Sequence, residues 1–576
     1  MFKCQGAMVS QKPCYSYVSI ACVERLAYLT STDAFKQDID WGGVMAGTYA
    51  FDALPDTLHH LLDEQAARHG ERTYAMMGDT TWTYAEIAAF SLRIASGLQS
   101  AGVRTGERVM LMLPPGGLHL GLWFGISRVG AVETPVNPAY KGMLLRQLIE
   151  TAEPSLCVIH QDFIVEFRSA AEGLVAPDRI VLPDTIENDM PFAPPAVEAD
   201  PRQPSCIVFT SGTTGRSKGV VMSHRHQMCF GQSFREIAGL TEADTTYNFL
   251  PFFHVAAKFV ALGTMLAGGR MLLRSVFSVS NFWTDVRAHQ VTVSAAVGGL
   301  CHMLNSQPPR PDDAENPLRI IYAVPVPWEF KADFQNRFGV EFIEGYGATE
   351  SNLVAYSRLS DPTPRGAAGR ASPHFEIEIQ DAFGNREKPG QAGEICVRPR
   401  HPATMMSGYF GMPDKTLEVL TDCWFHTGDR GYLDENGYLY FLDRQKDAIR
   451  RRGENISSFE VERVLNAFPA ISECAVIPMP SEVGEEEVKA IIVLKEPGSV
   501  TAEDIFHFAM ANMPYFMVPR FIEFRNELPR TPTMKIRKTE LRVPGNSEAT
   551  WDCEKVGLKI SRAAAAAAAQ KARSTG

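Results

Sequence analysis

The chemistry most legible in this chain lies in the stretch FTSGTTGRSKGVVMSH, from Phe209 to His224, where hydroxyls, glycines and one lysine follow the apolar run at residues 206–209. Gly212 and Gly215 let backbone N–H groups converge on an anion, while Thr210, Ser211, Thr213 and Thr214 add hydroxyl donors without bulk, and Lys218 adds a charge. Such a loop has the physics of a phosphate cradle. It is not the loop in which a lysine directly follows a glycine and the next hydroxyl binds magnesium, because Ser217 precedes Lys218 and Gly219 follows it. Taken alone, it leaves open a glycine-rich surface turn.

Four further stretches carry groups suited to phosphate chemistry: GYGATE from Gly345, WFHTGDRG from Trp424, DRQKDAIRRRGENISSFEVE from Asp443, and LPRTPTMKIRK from Leu528. With the first loop they stand in the order found in the adenylate-forming superfamily of acyl-CoA synthetases, luciferase and peptide-synthetase adenylation domains. The chain resembles that superfamily from near residue 50 to near residue 545. The resemblance implies two half-reactions, in which a carboxylate and ATP give an acyl-adenylate and pyrophosphate, and the acyl group then passes to a thiol. Bringing two anions together requires a metal and cations where charge develops.

By the same resemblance, Glu350 helps hold Mg²⁺, Thr349 contacts the α-phosphate and Tyr346 lies against adenine. Asp429 accepts from both ribose hydroxyls, with Arg444 alongside. Lys535 reaches from a small domain to the reacting carboxylate and α-phosphate. Lys446 resembles the hinge about which that domain rotates between half-reactions. Arg450, Arg451 and Arg452, leading into Gly453 and Glu454, resemble the loop lining the thiol tunnel, where arginines can meet the phosphates of CoA. His254, in PFFHVAAK, resembles the residue that gates the carboxylate site. One position departs from the pattern: Met534 stands where most members have glycine, and a methionine resists positive φ, so the loop is expected to take a different backbone course.

Plainer readings of single residues stay open. Glu350 also reads as part of a strand-to-helix turn, Asp429 as a β-turn residue, the three arginines as a solvated cluster, and His254 as a core histidine. Lys258 either pairs with a second carboxylate of the substrate or snorkels.

The elements that must position these groups follow from periodicity. From near residue 50 to 440, short β-rich runs at 108–113, 156–159, 179–182, 206–209, 291–296 and 318–323 alternate with helical patterns, as in βαβ units with buried parallel strands. From Pro373, short strands with turn signals predict a small antiparallel barrel or sheet. LDRQKDA at 442–448 reads as a charged connector. A compact α+β pattern follows it, opened by a capping box of Ser457 and Glu460, with strands at 474–477, 488–494 and 520–524 and a helix at 502–512. The expected fold is therefore α/β: a large N-terminal domain of doubly wound βαβ subdomains plus a small β-barrel (46–442), a hinge (443–447), and a small mobile α+β C-terminal domain (448–545). Residues 1–45 read as an extension and 546–576 as an Ala-rich tail, of which 562–576 is set outside the fold.

Composition narrows the function class. With 576 residues, 45% hydrophobic and a net charge of -11, the chain has material for a large core and no general attraction to nucleic acid or anionic membrane. Eleven cysteines without CxxC pairs indicate buried thiols in a reducing, cytoplasmic setting. No apolar run is long enough for a bilayer-spanning helix. The absence of an acid in PFFHVAAK counts against amino-acid activation, and no carrier-attachment serine follows the C-terminal motif. The expected activity is ATP- and Mg²⁺-dependent acid:CoA ligation, with a carboxylic acid and CoA as partners, closest in texture to carnitine, crotonobetaine and fatty acyl-CoA ligases; a homodimer is compatible with it. Loading of a carrier protein in trans and a non-catalytic nucleotide- or acyl-binding relative are the alternatives.

Overall fold

The computed structural model describes residues 53–560 except 141, 189, 195–198, 211–216, 325, 327, 329, 362, 445–448, 452–453, 457, 481–485, 532–533, 543–546 and 548. The 1–45 extension, most of the phosphate loop, Lys446, Arg452, Gly453, Ser457 and the Ala-rich stretch thus lie outside the described residues.

Two seven-stranded sheets form the N-terminal part. The first runs Glu341–Ile343, Ile320–Val324, Val293–Val297, Thr245–Asn248, Arg270–Leu273, Thr73–Met77, Thr80–Thr83, and all its pairings are parallel except the last. The second runs Gly408–Tyr409, Lys218–Ser223, Pro204–Thr210, Val132–Pro135, Arg108–Met112, Leu156–Ile159, Ile180–Val181; its first two pairings are antiparallel and the rest parallel. Strands covered on both faces need continuous apolar runs, and Val109, Met110, Leu111 and Met112 are accordingly buried.

The helices begin and end where their caps dictate. Thr83 and Glu86 close a reciprocal capping box at Tyr84–Ser100. Ser223 caps His224–Ala238, which ends at Gly239 with φ +56°. His254 caps Val255–Ala267, which ends at Gly268 with φ +69°.

From Gly345 onward the chain builds an eight-stranded antiparallel sheet, ordered Gly345–Ala348, Asn352–Tyr356, Gly369–Ala371, Tyr438–Arg444, Trp424–Leu433, Gly393–Pro399, Phe375–Gln380, with Leu420–Thr421 paired to Trp424–Leu433. It is the antiparallel segment expected after Pro373, but it begins earlier and takes in GYGATE. Among the described residues no hydrogen-bonded ladder joins its two ends into a closed barrel.

The small C-terminal domain packs helices Ser458–Asn466 and Ala502–Asn512 on a sheet of Ile471–Pro480, Glu486–Leu494, Phe521–Phe524 and Trp551–Asp552. Val461, Leu465, Val476, Ile492, Ile505 and Phe506 share its core. This sheet continues beyond residue 545. Phe521 pairs with Asp552, Cys553 is fully buried in the core and Trp551 packs against it, so apolar contact ties the start of the 546–576 segment to this domain.

Candidate active site

Strand Pro204–Thr210 and strand Lys218–Ser223 form the antiparallel arms on either side of the phosphate loop, with Thr210 opposite Lys218. The Thr210 hydroxyl donates to the Lys218 carbonyl at 3.4 Å. The Lys218 ammonium lies 4.6 Å from the ring centroid of Tyr409, a cation–π arrangement. Tyr409 arrives there because strand Gly408–Tyr409 adds to the edge of Lys218–Ser223. Its hydroxyl donates to Glu350 Oε1 at 3.1 Å. Burial first, and the neighbouring Glu350 next, push the Tyr409 phenol up, so it remains a donor. The structure thus links Lys218 to Glu350 through a tyrosine that none of the sequence motifs contains.

The segment bearing Thr349 and Glu350 is not a strand-to-helix turn. It is the tip of a hairpin between Gly345–Ala348 and Asn352–Tyr356. Glycine is required at 347, where a Cβ would stand 2.0 Å from the Asn352 carbonyl oxygen. Asn352 turns the chain at φ +77° and donates through Nδ2 to the carbonyls of His226 and Thr404, at 3.0 and 3.2 Å. The Glu350 carbonyl accepts from Met406 N–H at 2.9 Å. Buried amide hydrogen bonds therefore fix the place from which the Glu350 carboxylate projects, and Thr349 is buried beside it.

Asp429 likewise lies in a strand, Trp424–Leu433, and not in a simple β-turn. A left-handed Gly428 at φ +71° bends that strand. Glu394 holds the bend: Oε1 accepts from Gly428 N–H at 2.9 Å, and Oε2 is 2.9 Å from His426 Nδ1. Asp429 N–H donates to Thr427 Oγ1 at 3.1 Å, and Asp429 Oδ2 accepts the Tyr346 hydroxyl at 2.8 Å. Arg444 is the cross-strand partner of Asp429 in register. The two motifs GYGATE and HTGD thus meet through Tyr346 and Asp429, with Phe441 6.0 Å from the Tyr346 ring. Glu394, like Tyr409, escapes sequence reading, since its signal, a carboxylate in an ordinary strand, resembles any surface strand acid.

His254 is partly buried, and its Nδ1 accepts from Ala256 N–H at 3.1 Å. The proton of the neutral ring therefore sits on Nε2. Burial first, and the charge of Lys535 second, bring the His254 pKa down to about 4. Lys535 thus stands within electrostatic reach of His254, which joins the C-terminal motif to PFFHVAAK. Its loop is a tight hairpin: Thr531 N–H donates to the Lys535 carbonyl at 2.7 Å, Met534 N–H to the Thr531 carbonyl at 2.8 Å, and Arg530 Nη1 to the Met534 carbonyl at 2.8 Å. Met534 occupies the left-handed region at φ +65°. The expected detour of the backbone does not occur; hydrogen bonds on both sides hold methionine in the conformation a glycine would adopt. Lys538 is committed elsewhere, to Ser458 Oγ at 2.6 Å and Glu462 at 2.9 Å.

Two other cations depart from expectation. Lys258 is buried against Glu133 at 2.5 Å and neither snorkels nor stands open to a substrate. Arg451 is buried in the C-terminal domain, donating to the carbonyls of Phe516 and Val518 at 3.1 and 2.9 Å and pairing with Glu487 at 2.5 Å. It is part of that core and cannot meet CoA without unfolding it. Glu454 lies in strand Glu454–Ile456, paired to Ile449–Arg451.

The family described as AMP-binding enzyme matches residues 62–410, and the family described as AMP-binding enzyme C-terminal domain matches residues 460–535. This chain belongs to the AMP-binding enzyme family. It is 30% identical over 511 residues to a crotonobetaine/carnitine–CoA ligase of Salmonella agona (strain SL483), covering 84% of this chain and 98% of that protein. ATP-bound MatB from Rhodopseudomonas palustris superposes with a TM-score of 0.77 at 26% identity, over 84% of this chain and 98% of that one. The o-succinylbenzoate CoA synthetase (MenE) of Bacillus subtilis, in complex with its acyl-adenylate intermediate, does so at 0.75 and 25%, over 85% and 99%. Among the described residues no helix is long and apolar enough to cross a membrane.

Proposed function

We infer that the protein is an ATP-dependent acid:CoA ligase that forms an acyl-adenylate and then an acyl-CoA thioester. The observation that carries this reading is the placement of Lys535, on the C-terminal domain, within electrostatic reach of His254. A cation delivered to that point by a separate domain suits a reaction in which a carboxylate must approach a phosphate.

In the first half-reaction a carboxylate oxygen of the acid attacks the α-phosphorus of ATP, the bond from α-phosphorus to the bridging oxygen breaks, and pyrophosphate leaves. Lys218 and the loop glycines and hydroxyls, Ser211, Gly212, Thr213, Thr214 and Gly215 with Thr210, hold the departing phosphates. Lys535 neutralises charge between carboxylate and α-phosphate, and Thr349 contacts the latter. His254 Nε2–H borders the carboxylate site as a neutral donor. Asp429, oriented by Tyr346, accepts the ribose hydroxyls, with Arg444 beside it and the Tyr346 ring against adenine. Glu350 is the residue for Mg²⁺: an oxygen ligand fits that hard cation, and the Tyr409 hydrogen bond orients the carboxylate without removing its charge. The ion supplies neutralisation of the triphosphate.

In the second half-reaction the CoA sulfur attacks the acyl carbon, the acyl–phosphate bond breaks and AMP leaves. Lys446 is the hinge that withdraws Lys535, and Arg452, Gly453 and Glu454 line the thiol path. The protein acts in the cytoplasm on a carboxylic acid and CoA, and a homodimer is the assembly to test by sedimentation. Crotonobetaine and carnitine, from the relatives' names, head the panel of acids. Acid-dependent pyrophosphate release and CoA-dependent thioester are expected with at least one acid. Pyrophosphate release without acid, or acyl transfer to a carrier protein alone, would overturn the ligase reading.

A further inference from the structure

On the helix that His254 caps, Lys258 enters a cluster of ionisable side chains that the adenylation chemistry does not use. Lys258, on helix Val255–Ala267, is almost wholly buried. Its ammonium sits 2.5 Å from Glu133 Oε2 and 4.1 Å from the Trp123 ring centroid. Glu133 Oε1 is 3.2 Å from His119 Nε2, and the neighbouring Glu133 carboxylate, after burial, pushes the Cys206 thiol up. Burial opposes the charge on Glu133, but Lys258 and His119 prevail and hold its carboxyl below the usual range. Burial keeps His119 neutral. The set is therefore one buried anion, one buried cation and a neutral imidazole, with both carboxylate oxygens occupied.

Its connections are more informative than its charge. Glu133 sits on strand Val132–Pro135 directly opposite Cys206, on the strand that runs on to Thr210 and the phosphate loop. His119 and Trp123 lie one turn apart on helix Gly117–Arg128. Phe252, two residues before His254, packs on both of them, with centroids at 4.9 and 6.3 Å. Lys258, four residues after His254, packs on Trp123 and pairs with Glu133. His254 is thus bracketed on both sides by anchors to the second sheet, while its own helix follows a strand of the first.

An apolar contact would hold these layers together at lower cost in desolvation, since a buried ion pair is often replaceable by hydrophobic residues without loss of stability. What an ion pair adds is a single geometry, because two charges and an imidazole satisfy one another in few arrangements. We propose that Lys258, Glu133 and His119 form a positioning network that fixes His254 relative to the strand feeding the phosphate loop, and so sets the rate of adenylation. The proposal rests on the ligase reading above.

The test compares wild type, Glu133→Gln/Lys258→Met and His119→Gln, each also in a His254→Ala background. Readouts are acid-dependent ATP–pyrophosphate exchange, thioester formation from supplied acyl-adenylate and CoA, and the melting temperature. The double substitution removes both charges and keeps an acceptor for His119, so folding should be retained. Its exchange kcat should fall about 10- to 100-fold, the scale of a misplacement near 1 Å. KM for ATP and the thioester half-reaction should be little changed. His119→Gln leaves the ion pair whole and should fall less, which provides a second arm if the double variant unfolds. Both losses should vanish in the His254→Ala background, because the network acts through that ring. Unchanged exchange in folded variants, or losses that add to that of His254→Ala, would overturn the proposal while leaving the ligase reading intact. Absence of exchange in wild type with every acid would overturn that reading instead.

Discussion

The charge of Lys535 is felt by His254: burial first, and that ammonium second, hold the imidazole of a large-domain helix cap at about 4. The relation exists only while the C-terminal domain stands in its present place. His302, in the large-domain helix Gly298–Asn305, similarly feels Lys495 and Glu473 of the C-terminal domain, after the effect of burial. Phe441 and Phe459 meet across the same boundary at 6.0 Å.

Removing Lys535 should therefore be visible at His254. In Lys535→Ala the His254 pKa should rise, yet remain below 6.5 because burial persists, as followed by NMR titration of the ring. Adenylation should drop by at least about 10² to 10³, the scale of one preorganised charge-stabilising donor. Lys538→Ala should lower the melting temperature while sparing adenylation by the folded protein, since Lys538 is bound to Ser458 and Glu462. Near-normal adenylation by Lys535→Ala would remove the central assignment.

Met534 holds positive φ without being glycine. Met534→Gly relieves strain of about 1 kcal/mol, partly offset by the greater chain entropy of glycine. The expected outcome is an adenylation rate no lower than wild type. Met534→Val, branched at Cβ in the same conformation, should reduce it. A Met534→Gly variant as impaired as Met534→Val would show that the methionine side chain itself is needed.

The Tyr409 hydroxyl orients Glu350, and its ring receives Lys218. Tyr409→Phe keeps the ring and loses the hydrogen bond, so the dependence of adenylation on Mg²⁺ concentration should shift to higher concentration by a few-fold. Glu350→Gln should shift it much further. An unchanged Mg²⁺ titration in both would place the metal elsewhere.

His226 is fully buried, stacks on Phe230 at 5.4 Å and, among the described residues, has no hydrogen-bond partner at either ring nitrogen. Burial lowers its pKa from 6.5 to about 3. Between those values the unfolded chain binds the proton that the folded one refuses, so stability is complete above 6.5 and falls as pH drops toward 3. The loss amounts to about 2 kcal/mol at pH 5. His226→Phe preserves the stack and removes the titrating group, so it should raise the melting temperature at pH 5 more than at pH 7.5. Equal shifts at both pH values would contradict the burial argument.

Arg451→Met leaves Glu487 buried without its cation and should destabilise the C-terminal domain by about 3 to 5 kcal/mol. The KM for CoA of the surviving folded protein should stay near wild type. A rise in KM without loss of stability would restore Arg451 to the thiol path.

Much of the fold was legible because its determinants are local. Strand 156–159 and helix 502–512 match the structure residue for residue, since an apolar run between turn signals and an amphipathic run ended by Pro514 admit few alternatives. The phosphate loop, GYGATE, HTGD and the lysine motif stood out in the sequence because their residue types and order resemble those of a known superfamily. What the sequence could not determine was which groups meet. Tyr409 reaches Lys218 and Glu350 through an edge strand 191 residues after Lys218. Glu394 supports Asp429 from a neighbouring strand, and Lys258 finds Glu133 across 125 residues. Nor did three adjacent arginines reveal that Arg451 belongs to a core. Charge and periodicity are properties of short segments, whereas pairing and burial depend on contacts between segments distant in the chain. Only the folded arrangement decides those.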